Sequence, residues 1–97
     1  MTYLDDVALR IRCEVSVDLL PDEDTTDLFR SYAILALALG TRVQSSDVHN
    51  AWVAWMLERH PDHPALVPFD ELPGDVQQRD VPFAEAIRRV AIDLGVT

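Results

Sequence analysis

The chain reads as an all-α protein, a single small domain of four main helices plus a proline-rich structured loop. Three observations predict this. Most apolar residues recur at three- and four-residue spacings, no pair of segments carries a matched alternating pattern, and polar or glycine punctuation divides the chain at helical lengths. With 97 residues, 48% of them hydrophobic, there is material for one core, and residues 1–97 are read as one domain.

The first segment, residues 4–20, has two readings. Val7, Leu9, Ile11, Cys13, Val15, Val17 and Leu19 alternate as in a half-buried strand. Leu4, Val7, Ala8, Ile11, Val15 and Leu19 also form a helical stripe behind Asp5 or Asp6 as a cap. A strand needs a pairing partner, and no other segment offers one, so helix is the expectation. Pro21 to Thr25 forms an acidic break in which Asp24 or Thr25 caps the second helix, residues 27–39, closed by Gly40. Phe29, Tyr32, Ala33, Ile34, Leu35, Ala36, Leu37 and Leu39 leave this helix almost no polar face, which places it at the centre.

Ser45 or Ser46 is the expected cap of a third helix, residues 47–59, whose apolar face carries Val48, Trp52, Trp55 and Met56. His60-Pro61-Asp62-His63-Pro64 stops it, because a residue before proline avoids the helical region. From Ala65 to Gly74 the chain is broken by prolines and folds against the core through Leu66, Val67, Phe69 and Leu72, with a turn at residues 69–72. After a short turn at residues 75–79, Asp80 caps the last helix, with Pro82 in its first turn and Phe83, Ala86, Ile87, Val90, Ala91 and Leu94 as its buried stripe.

The formal charge is -9, and all eight basic residues are arginine. Such a surface repels polyanions, so neither nucleic acid nor an anionic membrane is an expected partner. The acids form no long runs, which disfavours nucleic-acid mimicry. Cys13 is the only cysteine, read as a small buried thiol, and no disulfide is possible within the chain. The opening residues contain no basic stretch and the longest apolar run is far too short for a bilayer, so a cytoplasmic protein without a signal peptide is expected.

No catalytic constellation is evident. Cys13 and Ser46 lack a neighbouring base, and three glycines cannot build a phosphate loop. His49, His60 and His63 with Asp62 lack zinc spacing, so we expect no metal and no cofactor. Trp52 and Trp55 share a helix face. At least one is expected in the core, and the other is placed to stack on a planar ligand or anchor a partner.

Residues 49–90 resemble the RyR domain, the helical repeat named after ryanodine receptors. The carriers are a histidine and tryptophan on one helix, Asp47-Val48-His49-Asn50-Ala51-Trp52, then His63-Pro64-Ala65-Leu66-Val67-Pro68-Phe69-Asp70-Glu71-Leu72-Pro73, Asp80, and a closing helix with Ile87. The resemblance covers a little under half of the chain. It departs where a Gly-Trp loop is replaced by residues 58–62, where Val81 takes the place of an arginine, and where Gln77-Gln78 replaces a Glu-Lys pair. It implies a ligand pocket built from His49, Trp52, His63, Phe69 and Asp80, with Arg42, Arg59 or Arg79 available to phosphates. Prokaryotic RyR domains are proposed sensors of nucleotide-like ligands. The whole chain is also similar to small proteins of actinobacteria and their phages.

Two functions follow as expectations. The first is a non-catalytic protein-interaction module, acting on a host protein or as a homo-oligomer, with an exposed apolar patch on Trp55, Met56 or the first helix. The alternative is an RyR-like module that binds or sequesters a nucleotide-derived small molecule, with a concave pocket at His49, Trp52 and Phe69.

Overall fold

A computed structural model describes residues 2–96, and among these there is no strand. The main helices are α1 (Tyr3–Cys13), α2 (Thr26–Leu39), α3 (Ser45–Arg59) and α5 (Val81–Asp93); a single turn, α4 (Gly74–Gln77), precedes the last. Short 3-10 turns occupy Val17–Leu19, Gly40–Arg42, Phe69–Glu71 and Gln78–Asp80. The all-α expectation holds, with four main helices and a structured loop between α3 and α5.

Helix α1 begins with a capping box: Thr2 Oγ1 accepts from the Asp5 N–H at 3.2 Å, and the Asp5 carboxylate accepts from the Thr2 N–H at 3.4 Å. It buries Val7, Ala8 and Ile11 and stops at Cys13, seven residues before the expected end at Leu20. β-Branched Val15 and Val17 are poor helix formers, and Ser16 offers its hydroxyl to the Asp18 N–H, a local alternative to helical bonding. The chain turns so that Val15 is buried while Leu19 stays 46% exposed. Cys13 lies off the Val7–Ile11 stripe and is exposed, which corrects the expected buried thiol.

Helix α2 is central, touching α1, α3 and α5. Its first turn is capped by Asp24, whose carboxylate accepts from the Thr26 N–H at 3.0 Å and hydroxyl at 2.6 Å. It buries Leu28, Phe29, Tyr32, Ala33 and Ala36 and leaves Ile34 on the outside. Gly40 ends it at φ 59 and ψ -129, a backbone conformation closed to residues with a Cβ. Helix α3 is capped neither by Ser45 nor by Ser46: its N-cap position is Gln44, whose N–H donates to the Asp47 carboxylate at 2.8 Å. Val48, His49, Trp55 and Met56 are its buried residues.

The loop after α3 is held to the core by its backbone. Val67 offers its carbonyl to His49 at 2.6 Å, and Gln77 donates to the carbonyls of Phe69 and Leu72 at 3.0 and 3.1 Å. These bonds satisfy carbonyls that a loop without helical partners would leave open. The expected turn after Pro68 is the 3-10 turn Phe69–Glu71, and Leu72 is buried. Helix α5 buries Ala84, Ala86, Ile87, Val90 and Ala91, and Pro82 lies in its first turn. Asp80 occupies the N-cap position but makes no capping hydrogen bond, contrary to the role expected of it.

Candidate functional site

A cleft of about 300 Å³ opens where α2, α3, the proline-rich loop and the start of α5 converge. Its floor and walls are Leu28, Phe29 and Tyr32 from α2, His49 and Trp52 from α3, and Phe83 from α5. Leu19, Leu20 and Pro21 close one side, His63 and Ala65 come from the loop, and Val76, Arg79 and Asp80 complete the rim. That volume lies at the lower end of the range for small-molecule pockets, about 300–1,000 Å³.

The aromatic rings pack in two groups. Phe29 and Tyr32 meet edge to face at 5.3 Å, and Phe83 tilts against both, 6.5 Å from Phe29 and 5.8 Å from Tyr32. In the second group His49 and Trp52 stack at 5.7 Å with planes 23° apart, and His63 meets Trp52 edge to face at 5.0 Å. The i, i+3 spacing of His49 and Trp52 on α3 produces the stack.

The polar groups have defined roles. His49 is 3% exposed, and because a carbonyl only accepts, its Nε2 carries a proton and donates to Val67. Its Nδ1 faces Asp80 Oδ2 at 4.0 Å, beyond hydrogen-bond length. The Asp80 carboxyl is pushed up to about 6 by burial, an effect opposed by the charge of His49. His63 Nδ1 accepts from the Ala65 N–H at 3.1 Å, which leaves Nε2 as the proton-bearing nitrogen of its neutral ring. Burial and the Asp80 charge raise Tyr32, so its hydroxyl stays protonated. The ion pairs among the described residues use Arg30, Arg59 and Arg89, and Arg79 is in none of them.

Of the residues implied by the resemblance, His49, Trp52, His63 and Asp80 all line this cleft. Phe69 does not reach its wall; its ring lies 6.0 Å from that of His49 and packs against that side chain instead. Of the three arginines considered for phosphates, only Arg79 is at the cleft. Arg42 donates to the Leu39 carbonyl at 3.3 Å, and Arg59 lies over the Trp55 ring at 4.4 Å. Tyr32, Phe29 and Phe83 were legible only as core periodicity, because the same side chains serve as core on one side and cleft floor on the other. Trp55 and Met56, expected on an exposed patch under the interaction reading, are buried at 4% and 7% exposure.

A second, larger cleft of about 530 Å³ runs between α1 and the start of α2. Asp5, Glu23 and Asp24 face Arg12 and Arg30 across Ala8, Leu9 and Phe29. One ion pair joins its charges: Arg30 Nε donates to Asp5 at 2.6 Å, and that bond, followed by the Thr2 hydroxyl, holds the Asp5 carboxyl down at about 2. No helix among the described residues is long and apolar enough to cross a membrane.

Comparison with known proteins finds no curated protein and no solved structure that matches the chain. A family model does match, over residues 2–92, and that span takes in the four main helices except the final residue of α5, and every residue of the cleft. The chain belongs to the family described as a domain of unknown function, DUF7701.

Proposed function

We propose that this domain is a non-catalytic small-molecule module that holds a planar, nucleotide-derived ligand in the His49–Trp52 cleft. The observation that carries the reading is the convergence in one cleft of a stacked His49–Trp52 pair, an edge-on His63, the Asp80 carboxylate 4.0 Å from His49, and Arg79, which is in no ion pair among the described residues. Aromatic faces bury a flat ring, and a few polar groups at the rim set its orientation. Arg79 is positioned for an anionic substituent such as a phosphate. The resemblance to RyR domains supports the same site from the sequence side.

The test is a thermal-shift series against nucleotides and cyclic or ADP-ribose-type messengers, read by tryptophan fluorescence. A ligand at a hundred times its Kd adds about 2.7 kcal/mol. In a domain of this size that raises Tm by about 10 °C or more. The shift should disappear in Trp52→Ala and His49→Ala. A flat response across the panel would refute the reading.

The protein-interaction reading keeps one supporting observation: Tyr3 and Leu9 on α1 are 67% and 49% exposed. A host partner or a second copy would cover that helix. Light scattering of wild type against Tyr3→Ser/Leu9→Ser tests self-association, and a monomer at all concentrations rejects the homo-oligomer.

A further inference from the structure

We propose that Asp80 selects the ligand by accepting two adjacent N–H donors from the edge of a guanine base stacked along Trp52. This rests on the small-molecule reading above and names the ligand class of the same cleft.

The argument starts from an imbalance. A carboxylate has two oxygens and accepts several hydrogen bonds, and a desolvated acceptor without donors is costly. Asp80 is only 16% exposed, yet it makes no capping bond to α5, and its nearest cationic candidate, His49 Nδ1, is 4.0 Å away. His49 is not free to supply the missing donor in its neutral form, because its single ring proton is committed to the Val67 carbonyl. Burial raises the Asp80 carboxyl, as it must for an acid that lacks donors. Among the described residues none donates a hydrogen bond to it, its oxygens are not sealed from solvent, and the group lines a cleft that a ligand with donors can enter.

The shape of that cleft narrows the donor. Trp52, His49, His63, Tyr32 and Phe83 all line it, and a lining this rich in rings suits a flat aromatic ligand. A flat ring that satisfies both carboxylate oxygens needs two parallel N–H groups on one edge. Guanine has them in its ring N1–H and its 2-amino group. Hypoxanthine keeps one, and adenine turns a ring acceptor toward the carboxylate. A free cation is a poorer fit, since Arg79 shares the rim and is in no ion pair among the described residues. The same arginine suits the phosphate of a guanine nucleotide, which a protein of charge -9 would otherwise repel.

The experiment titrates the full chain with guanosine, inosine, adenosine and xanthosine monophosphates, following tryptophan fluorescence and calorimetric heat. Wild type should bind the guanosine nucleotide about ten to a hundred times tighter than the inosine or adenosine nucleotide, the loss expected for one charge-assisted pair. Asp80→Asn should reverse the ranking in favour of xanthosine, whose C2 carbonyl accepts from the new amide. Such a gain cannot come from misfolding. Arg79→Ala should weaken all four alike and keep their order. Equal affinity for the four nucleotides, lost in Trp52→Ala, overturns the Asp80 assignment and leaves the cleft reading in place. No binding of any of them overturns the guanine assignment, while the wider ligand panel above still decides the cleft reading by itself.

Discussion

Two carboxylates, each at the start of a helix, are treated in opposite ways by this fold. Asp5 at the N-terminus of α1 is met by the Arg30 guanidinium at 2.6 Å and by the Thr2 hydroxyl at 2.9 Å, and its carboxyl falls to about 2. Asp80, at the N-terminus of α5, has a histidine at 4.0 Å and no capping bond, and its carboxyl rises to about 6. The two clefts follow the same division. Beside α1 the acid is held by an arginine hydrogen bond in an open groove, whereas Asp80 is partly desolvated beside aromatic rings with its histidine at 4.0 Å and no hydrogen bond among the described residues. An acid with all its donors stabilises the apo protein. One without them destabilises it and is available to something that brings donors.

The largest effects should come from the floor that the core and the cleft share. Tyr32→Ala removes a side chain that is 2% exposed and packed against Phe29 and Phe83, and should cost about 3–5 kcal/mol in urea denaturation. Tyr32→Phe keeps the ring and should cost far less, separating packing from the hydroxyl. A floor that served the ligand alone would tolerate both substitutions, so a small loss in Tyr32→Ala would break the shared-wall argument.

Next in size is the contrast in sign between the two acids. For Asp80 the folded value lies above the unfolded one, so its stabilising share is fully present below about pH 4 and is lost as pH rises through about 6. Asp80→Asn should therefore stabilise the apo protein by about 1–3 kcal/mol at pH 7.5, with the gain fading as pH falls from 6 to 4. For Asp5 the folded value lies below, so its contribution is present above about pH 4 and is lost as pH falls toward 2. Asp5→Asn should destabilise at neutral pH, and the difference from wild type should shrink steadily as pH falls from 4 toward 2 and disappear only below the folded value. Urea midpoints across pH 2–8 check both. If both asparagine variants moved the same way at pH 7.5, the division between a satisfied and an unsatisfied acid would fail.

The two tryptophans sharpen the comparison within one helix. Trp52 is half-buried at the cleft, whereas Trp55 is buried beneath Arg59 with its indole N–H unpartnered among the described residues. Trp55→Phe removes that buried polar group and should leave ligand-induced fluorescence intact, while Trp52→Phe should abolish most of it. A response carried by Trp55 would move the ligand away from the His49 wall.

Much of this was legible in the sequence because periodicity and punctuation agree. Helix α2 was expected at residues 27–39 and runs Thr26–Leu39, since a nearly all-apolar segment between an acidic break and Gly40 has one way to be satisfied. Helix α1 was overextended because Val15 and Leu19 keep its spacing even though Ser16 and two valines break the backbone. At the site, residues with unusual chemistry stood out: His49, Trp52, His63 and Asp80 are few and polar or large. Tyr32 and Phe83 did not, because a core stripe and a pocket floor have the same pattern. Nor did the role of Asp80, since Asp before Val-Pro reads as a helix cap. The missing capping bond is a matter of orientation, and orientation is tertiary.

The smallest effect expected concerns the Asp5–Arg30 pair itself, with Arg30 also 3.4 Å from Asp27. The Arg30 side chain is 44% exposed, so water and salt screen the charge that holds Asp5. A double-mutant cycle of Asp5→Asn and Arg30→Gln should give a weak favourable coupling at low ionic strength that vanishes at 1 M salt. The Asp80→Asn gain should survive the same salt, because it comes from desolvation rather than from an exposed pair. Salt thus tells the two acids apart by mechanism as well as by sign. A coupling at Asp5 that persisted at high salt would mean that its low carboxyl owes more to the short Arg30 hydrogen bond than to the screened charge of the arginine.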